Sequence, residues 1–355
     1  MEVQYTQHLE KIEAELRSWL PENPDSQWLE KVFLIPGESI NPALIKSLSY
    51  PGWNLVNRGG KRWRPLLMVL VAEALGGEKG ATAALPLTPL VEIAHNASLI
   101  HDDIEDNSEM RRGEPAIHVL YGTDVAINSG AFLYFLPLAC IPNSDFSQEE
   151  KNRVFEIWGM YMRRLHLGQA MDIAWHNDYQ SFPEIPEYER MCRLKTGCLA
   201  RLAAVLGVYC AKYRQGTGNV PDDMTKLLGD GAEKLGVGFQ ILDDVRNLTT
   251  GNPGKKRGDD IVEGKKSLPV LLYLHQYPEK RDFVVRCFEA ARSGGIDVPE
   301  REELIHAFET AGVLEQALEK GKKLIKESRE IFTGIASPYT KGPELLGGLL
   351  DFISG

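Results

Sequence analysis

Apolar residues recur at helical spacing through most of this chain. Leu235, Phe239 and Leu242 stand at i, i+4 and i+7, many other Leu, Ala and Val positions repeat the interval, and no sustained two-residue alternation breaks it. Short clusters of Gly and Pro at 21–24, 36–42, 216–221, 251–258, 294–299 and 338–343 mark turns between helices. None is long or biased enough to be a domain linker, and neither an internal repeat nor a low-complexity tract is present. The pattern predicts an all-α protein, one large helical bundle forming a single domain over residues 1–355.

Composition narrows the function. With 355 residues, 43% of them hydrophobic, the chain can bury a large core, and its length alone would allow roughly two domains. A net charge of -10 disfavours a nucleic-acid partner, which requires a basic surface. Five cysteines without a CxxC pair read as reduced thiols and predict a cytoplasmic setting. The first 20 residues carry acids and lack the apolar run of a secretory signal. The most apolar stretches, 65–77 and 197–213, are short and contain Glu73 and Arg201, which predicts a soluble chain that does not span a membrane.

The segment 91–106, VEIAHNASLIHDDIED, is the most informative. On a helix His95, Leu99, Asp102 and Asp106 form one stripe, so the carboxylates of Asp102 and Asp106 stand one turn apart and repel. A cation between them removes that penalty, and Mg²⁺ takes one or two carboxylates plus substrate phosphates. A lone DDxxD is more often a solvated helix face. Here the flanks are apolar and Arg111–Arg112 follows at once, so acids for metal lie beside guanidinium groups for phosphate.

A second cluster, GFQILDDVRNL at 238–248, repeats the arrangement with Asp243 and Asn247 one turn apart and Asp244 beside them. The following loop, GKKRGDDIVEGKKSLP, carries Lys255, Lys265 and Lys266, able to close over a phosphate. Taken alone they would be a solvated charge run. GGKRWRP at 59–65 places Lys61 and Arg64 just ahead of an apolar helix, where an anion is well received, although this short string alone reads better as an interfacial basic turn.

GGKRWRP, HNASLIHDDIEDNSEMRRGEPAIH, LHLGQAMDI, KTG, GFQILDD and GDDIVEGKKSLP, in this order, resemble the trans-isoprenyl diphosphate synthases of the polyprenyl synthetase family. The likeness covers about two-thirds of the chain. It implies the all-α isoprenoid synthase fold with a deep central cavity, usually in a homodimer. It also implies Mg²⁺-dependent head-to-tail condensation of isopentenyl diphosphate with dimethylallyl, geranyl or farnesyl diphosphate, typically with three Mg²⁺ ions when substrate is bound.

Position by position, the resemblance implies that Asp102 and Asp106 bind Mg²⁺ at the allylic diphosphate with Asp103 in support. Asp243, with Asn247 or Asp244, holds a further ion. Arg111, Lys195, Lys255 and Lys265 match contacts to the allylic diphosphate, and Lys61, Arg64, His95 and Arg112 match those to isopentenyl diphosphate. Thr196 and Gln240 match positions lining the reaction centre. Most members have Asp where this chain has Asn247, which retains a carbonyl oxygen without charge; DDxxN is similar to synthases of eukaryotic type.

Product length in the family depends on what blocks the cavity floor. Ala97 and Ser98 are small, so a growing tail passes them. Tyr134, Phe135 and His166 resemble the floor of eukaryotic-type geranylgeranyl diphosphate synthases, although Tyr134 and Phe135 would serve equally as core aromatics and His166 as a satisfied buried histidine. The expected main product is geranylgeranyl diphosphate. The rivals are a longer-chain polyprenyl synthase for quinone side chains and, in another class, a non-catalytic regulatory subunit of another synthase. A terpene cyclase would have no use for a second set of diphosphate contacts.

Overall fold

The computed structural model describes residues 2–35, 40–215, 223–251, 256–335, 337, 339 and 342–354. The turns expected at 36–42, 216–221, 251–258 and 338–343 lie wholly or partly outside these residues, and so does Lys255.

The helical spacing is realised almost throughout. The first helices are α1 (Glu2–Trp19), α2 (Ser26–Phe33), α3 (Pro42–Asn57), α4 (Trp63–Ala84), α5 (Pro89–Glu105), α6 (Ile117–Tyr121) and α7 (Thr123–Phe135). There follow α8 (Gln148–Asn177), α9 (Ile185–Cys192), a π-helical turn (Arg193–Gly197), α10 (Cys198–Gln215) and α11 (Met224–Thr249). The last are α12 (Asp259–Glu263), α13 (Leu268–Gln276), α14 (Arg281–Gly294), α15 (Pro299–Thr310), α16 (Val313–Thr333) and α17 (Gly342–Ser354). The strands among the described residues are β1 (Met110–Arg111) and β2 (Glu114–Pro115), an antiparallel pair with Arg111 opposite Glu114.

Local chemistry sets the helix starts. The Asp25 side chain accepts from the Trp28 backbone at 2.8 Å to cap α2, and Asn41 accepts from Ala43 at 3.0 Å ahead of Pro42 in the first position of α3. α4 is apolar on all sides from Leu66 to Val71, which are wholly buried, as befits a core helix. Each such leucine gains about 2–3 kcal/mol by leaving water.

The chain divides into two compact units: Met1–Met160 with Arg201–Gly229 and Ile331–Gly355, and Tyr161–Ala200 with Asp230–Glu330. In the first, α4 is flanked by α17, whose Leu346 and Leu349 are wholly buried, and α5 packs on α7. In the second, Phe288 of α14 and Leu304, Ile305 and Phe308 of α15 form one apolar cluster. Tyr188, Ile241 and Leu268 from α9, α11 and α13 form another.

Two apolar windows are longer than the stretches at 65–77 and 197–213. Thr123–Cys140 and Ile185–Lys212 are long and apolar enough to qualify as membrane spans by length and composition. The second window joins α9, the π-turn and α10 end to end and is 78% buried within the chain, the burial of a core helix. Helical continuity across the KTG turn is what lengthens it.

Candidate active site

In the first unit, α5 presents the acidic motif. Asp102 and Asp106 are partly exposed near its carboxyl end, whereas Asp103 is wholly buried. The helix explains the split, since positions four apart share a face and adjacent positions do not. Asp103 Oδ1 accepts from Arg111 Nε at 2.8 Å and also from Nη2. Asp102 Oδ2 lies 3.7 Å from Arg111 Nη2. Burial works against the Arg111 charge, but the hydrogen bond and charge of Asp103 hold its pKa above the ordinary arginine value. Asp103 therefore anchors an arginine, while Asp102 and Asp106 stand partly exposed on the other side of the helix.

Arg112 occupies the turn between β1 and β2 with φ +54°, followed by Gly113 at +79°. Two positive φ values in a two-residue loop match the right-handed twist of a hairpin, at about 1–2 kcal/mol for a residue that is not glycine. Arg112 Nη1 donates to Leu55 O at 3.0 Å and Asn96 Oδ1 at 3.1 Å. Asn96 donates to Glu92 Oε1 at 3.1 Å, and Glu92 Oε1 accepts from Arg62 Nη1 at 2.9 Å. Arg62 also reaches Glu13 at 2.7 Å, so a buried relay links α1, the GGKRWRP loop and the hairpin. Burial and the charges of Arg62, Arg111 and Arg64 pull the Arg112 pKa down to about 10 against the pull of Glu92, which leaves it charged at neutral pH.

His95 sits among these cations. Arg64 Nη1 is 3.3 Å from His95 Nε2; a guanidinium only donates, so Nε2 accepts and the proton is on Nδ1. Burial, then Arg64, Arg112, Arg111 and Arg62, keep the His95 pKa well below the ordinary value, so the ring is neutral. Lys61 is exposed and donates to Ile353 O of α17 at 2.7 Å. The structure thus brings Arg64, His95, Arg111 and Arg112 together with the acids of α5.

In the second unit Lys195 and Thr196 lie in the π-turn, an irregularity frequent at functional sites. Two glycines allow its neighbours to approach: a Cβ on Gly168 of α8 would lie 2.5 Å from Lys195 N, and one on Gly236 of α11 would lie 2.7 Å from Gly197 Cα. Lys195 Nζ donates to Asp172 at 2.5 Å. Thr196 Oγ1 donates to Gln240 Oε1 at 2.7 Å, and Gln240 Nε2 donates to Asp244 Oδ1 at 3.0 Å. Asp244 Oδ2 accepts from Tyr188 OH at 2.6 Å and from Leu268 N at 3.2 Å. Burial raises the Asp244 pKa to about 6 despite the Tyr188 and Gln240 hydrogen bonds.

Asp243 is the outward member of its pair, with its side chain 58% exposed and Arg246 at 3.5 Å. Asp244, by contrast, is enclosed, and both its oxygens accept hydrogen bonds. Asn247 is wholly buried, its Oδ1 accepts from Asp260 N at 3.2 Å, and its backbone O accepts from Gly258 N at 2.9 Å. Asn247 ties down the segment that leads to Lys265, whose Nζ pairs with Glu263 at 2.6 Å. Lys266 points elsewhere, buried over the rings of Phe288, Phe182 and Tyr179, and burial lowers its pKa to about 8.

The outward carboxylates of each unit, taken separately, are of the hard oxygen type that Mg²⁺ accepts. Asp102, Asp106 and Asp243 offer hard carboxylate oxygens that are at least partly exposed. Among the chain-length positions, Ala97 is buried, Ser98 half-buried and Tyr134 8% exposed. Phe135 is 67% exposed and His166 is exposed, so neither is a core residue of this chain, and His166 is not a buried histidine. Asp172, Tyr188 and the relay of Arg62, Glu92 and Asn96 were not anticipated as site residues. Asp172 lay within LHLGQAMDI and was findable there, whereas Tyr188 carried no signal.

Comparison with known proteins completes the description. The sequence model of the family "Polyprenyl synthetase" matches residues 45–301. The chain is 33% identical over 321 residues to the geranylfarnesyl diphosphate synthase of Aeropyrum pernix, covering 89% of this chain and 95% of that one. It is 35% identical to the geranylgeranyl pyrophosphate synthase of Eremothecium gossypii over 66% of this chain and 71% of that one. The crystal structure of geranylgeranyl pyrophosphate synthetase from Pyrococcus horikoshii superposes with a TM-score of 0.81 at 26% identity, covering 99% and 97% of the two chains.

Two outcomes are expected. In the unfolded chain His95 gains its proton near the ordinary value of 6.5, and in the folded chain only at lower pH. In between, the unfolded state binds more protons, so stability falls as pH drops below about 6.5. His95→Gln should lose less thermal stability than wild type between pH 7.5 and pH 5; parallel melting curves would contradict the assignment. Asn247→Ala should cost about 1–3 kcal/mol by orphaning the Asp260 amide, while the Mg²⁺ concentration for half-maximal activity stays unchanged. A shifted Mg²⁺ requirement would return Asn247 to the metal site.

Proposed function

The chain belongs to the polyprenyl synthetase family of prenyltransferases, and on that premise we propose that it joins isopentenyl diphosphate head to tail to allylic diphosphates, with geranylgeranyl diphosphate as main product. The observation that carries this reading is the outward pair Asp102 and Asp106 beside Arg111, Arg112, Arg64 and a neutral His95. We take 1–355 as one synthase domain, because the matched segment 45–301 runs through both compact units.

In this reading Asp102, Asp106 and Asp243 hold Mg²⁺, which neutralises charge building on the leaving diphosphate. Arg111, Lys195 and Lys265 grip the allylic diphosphate, together with Lys255 outside the described residues. Lys61, Arg64, His95 and Arg112 hold isopentenyl diphosphate, His95 as a neutral donor through Nδ1–H. Preorganised cations lower the barrier to breaking the allylic C–O bond. The isopentenyl double bond attacks the resulting carbocation to form the new C–C bond, and a proton then leaves to the departed diphosphate, restoring an alkene. Thr196 and Gln240 are held by Asp244 so that their oxygen dipoles can face the cation. Asp103 serves by fixing Arg111.

A second reading has support of its own. With Phe135 and His166 exposed, Tyr134 is the sole buried member of the expected floor, which favours a product longer than twenty carbons. The exposed apolar residues Ile127 of α7 and Val119 and Leu120 of α6 support a homodimer. Five free, buried cysteines accord with a cytoplasmic setting.

The test is incubation of purified protein with isopentenyl diphosphate, Mg²⁺ and, separately, dimethylallyl, geranyl or farnesyl diphosphate, with products sized by mass spectrometry. A twenty-carbon diphosphate is expected; longer products would favour the second reading, and no condensation with any primer would point to a regulatory subunit. Asp102→Ala should lower turnover by roughly 100-fold or more, by loss of charge stabilisation, without altering the far-UV circular dichroism. Tyr134→Ala combined with Phe135→Ala should lengthen the product. An unchanged distribution would remove both residues from the floor.

A further inference from the structure

Arg58 ends α3, outside every acidic or basic motif, yet its side chain is only 3% exposed. Nη1 donates to Arg111 O at 3.0 Å and Pro115 O at 2.9 Å, one carbonyl on each strand of the hairpin. Nη2 and Nε donate to Asn54 Oδ1 at 2.6 and 2.9 Å, one turn back on α3, and Nε is 3.3 Å from the Glu114 carboxylate. Burial lowers the Arg58 pKa from its ordinary value and the Glu114 charge works against that fall.

The hairpin has reason to need an outside clamp. Its strands are two residues each, and an isolated two-stranded hairpin is marginal in water even when longer. Its turn carries the further strain of Arg112 at φ +54°. One guanidinium nitrogen, Nη1, bonds both carbonyls while Nη2 and Nε bond Asn54; a lysine, with a single nitrogen, has no second and third nitrogen to fix its orientation on Asn54.

We propose that Arg58 is a positioning residue for diphosphate binding: by bonding both strands of the 110–115 hairpin it fixes where the Arg111 and Arg112 guanidinium groups stand, and Asn54 in turn fixes Arg58. The inference rests on the site reading above but touches neither the acids nor the lysines. A shift of about 1 Å in a substrate-gripping group can cost up to roughly 100-fold, so the lever is large for a residue distant from the chemistry.

The experiment compares wild type with Arg58→Met, Arg58→Lys, Asn54→Ala and the double variant Asn54→Ala/Arg58→Met. Each is checked for its melting curve, and its affinity for inorganic pyrophosphate with Mg²⁺ is measured by titration calorimetry. KM and kcat for both diphosphates follow. Arg58→Met should weaken pyrophosphate and raise both KM values by roughly 10- to 100-fold in protein that remains folded at the assay temperature. Arg58→Lys should not rescue it, because the charge alone is not what holds the hairpin. Asn54→Ala should act in the same direction more weakly and add little to Arg58→Met. If the variants melt earlier but keep wild-type pyrophosphate affinity and KM within about twofold, Arg58 is merely structural and the inference falls. Should Arg58→Met fail to fold, Asn54→Ala with unchanged affinity overturns it equally. The binding readout needs no turnover, so an inactive wild type would refute the reaction assignment without deciding the role of Arg58.

Discussion

Arginines crowded around a single histidine repel one another, and the first unit depends on two buried carboxylates that restrain them. Asp103 holds Arg111, and Glu92, 3% exposed, holds Arg62 and reaches Arg112 through Asn96. Stripping one partner from such a buried pair costs about 3–5 kcal/mol because the survivor is left uncompensated. These arginines are therefore not loose surface charge: Arg62, Arg111 and Arg112 are each held by a buried partner.

The same division of labour recurs in both acidic doublets. In Asp102–Asp103 and in Asp243–Asp244 the first carboxylate faces outward and the second is buried and hydrogen-bonded. Adjacent helical residues lie about 100° apart, so a doublet at the edge of a buried face must place one acid inside and one outside. The inner acid orients other groups: Arg111 for Asp103; Tyr188, Gln240 and, through it, Thr196 for Asp244. Buried hydrogen bonds of this kind hold the groups they join in fixed positions.

The π-turn extends the idea to the backbone. A π-helical turn leaves Lys195 and Thr196 out of step with the regular helices on either side, and Gly168 and Gly236 let α8 and α11 close against it. Lys195 is then pinned by Asp172 and Thr196 by Gln240. A larger residue at either glycine would run directly into the backbone of the turn, at Lys195 N or at Gly197 Cα, and force it away.

The all-α architecture was legible from spacing alone, because helix periodicity is a local property that every turn of the chain repeats. So was the placing of Asp102 and Asp106 on one face of a helix, since a four-residue interval on a helix fixes which side chains are neighbours. What the residues could not disclose was which polar groups point inward. Asn247 sits one turn from Asp243 yet is spent on Gly258 and Asp260, and the exposure of Phe135 and His166 depends on which elements happen to cover them. Tyr188 and Arg58 lie 56 positions from the side chain or, respectively, 53 and 57 positions from the backbone they hold. Contacts at such separations are decided by how the helices pack, and only the tertiary structure supplies that.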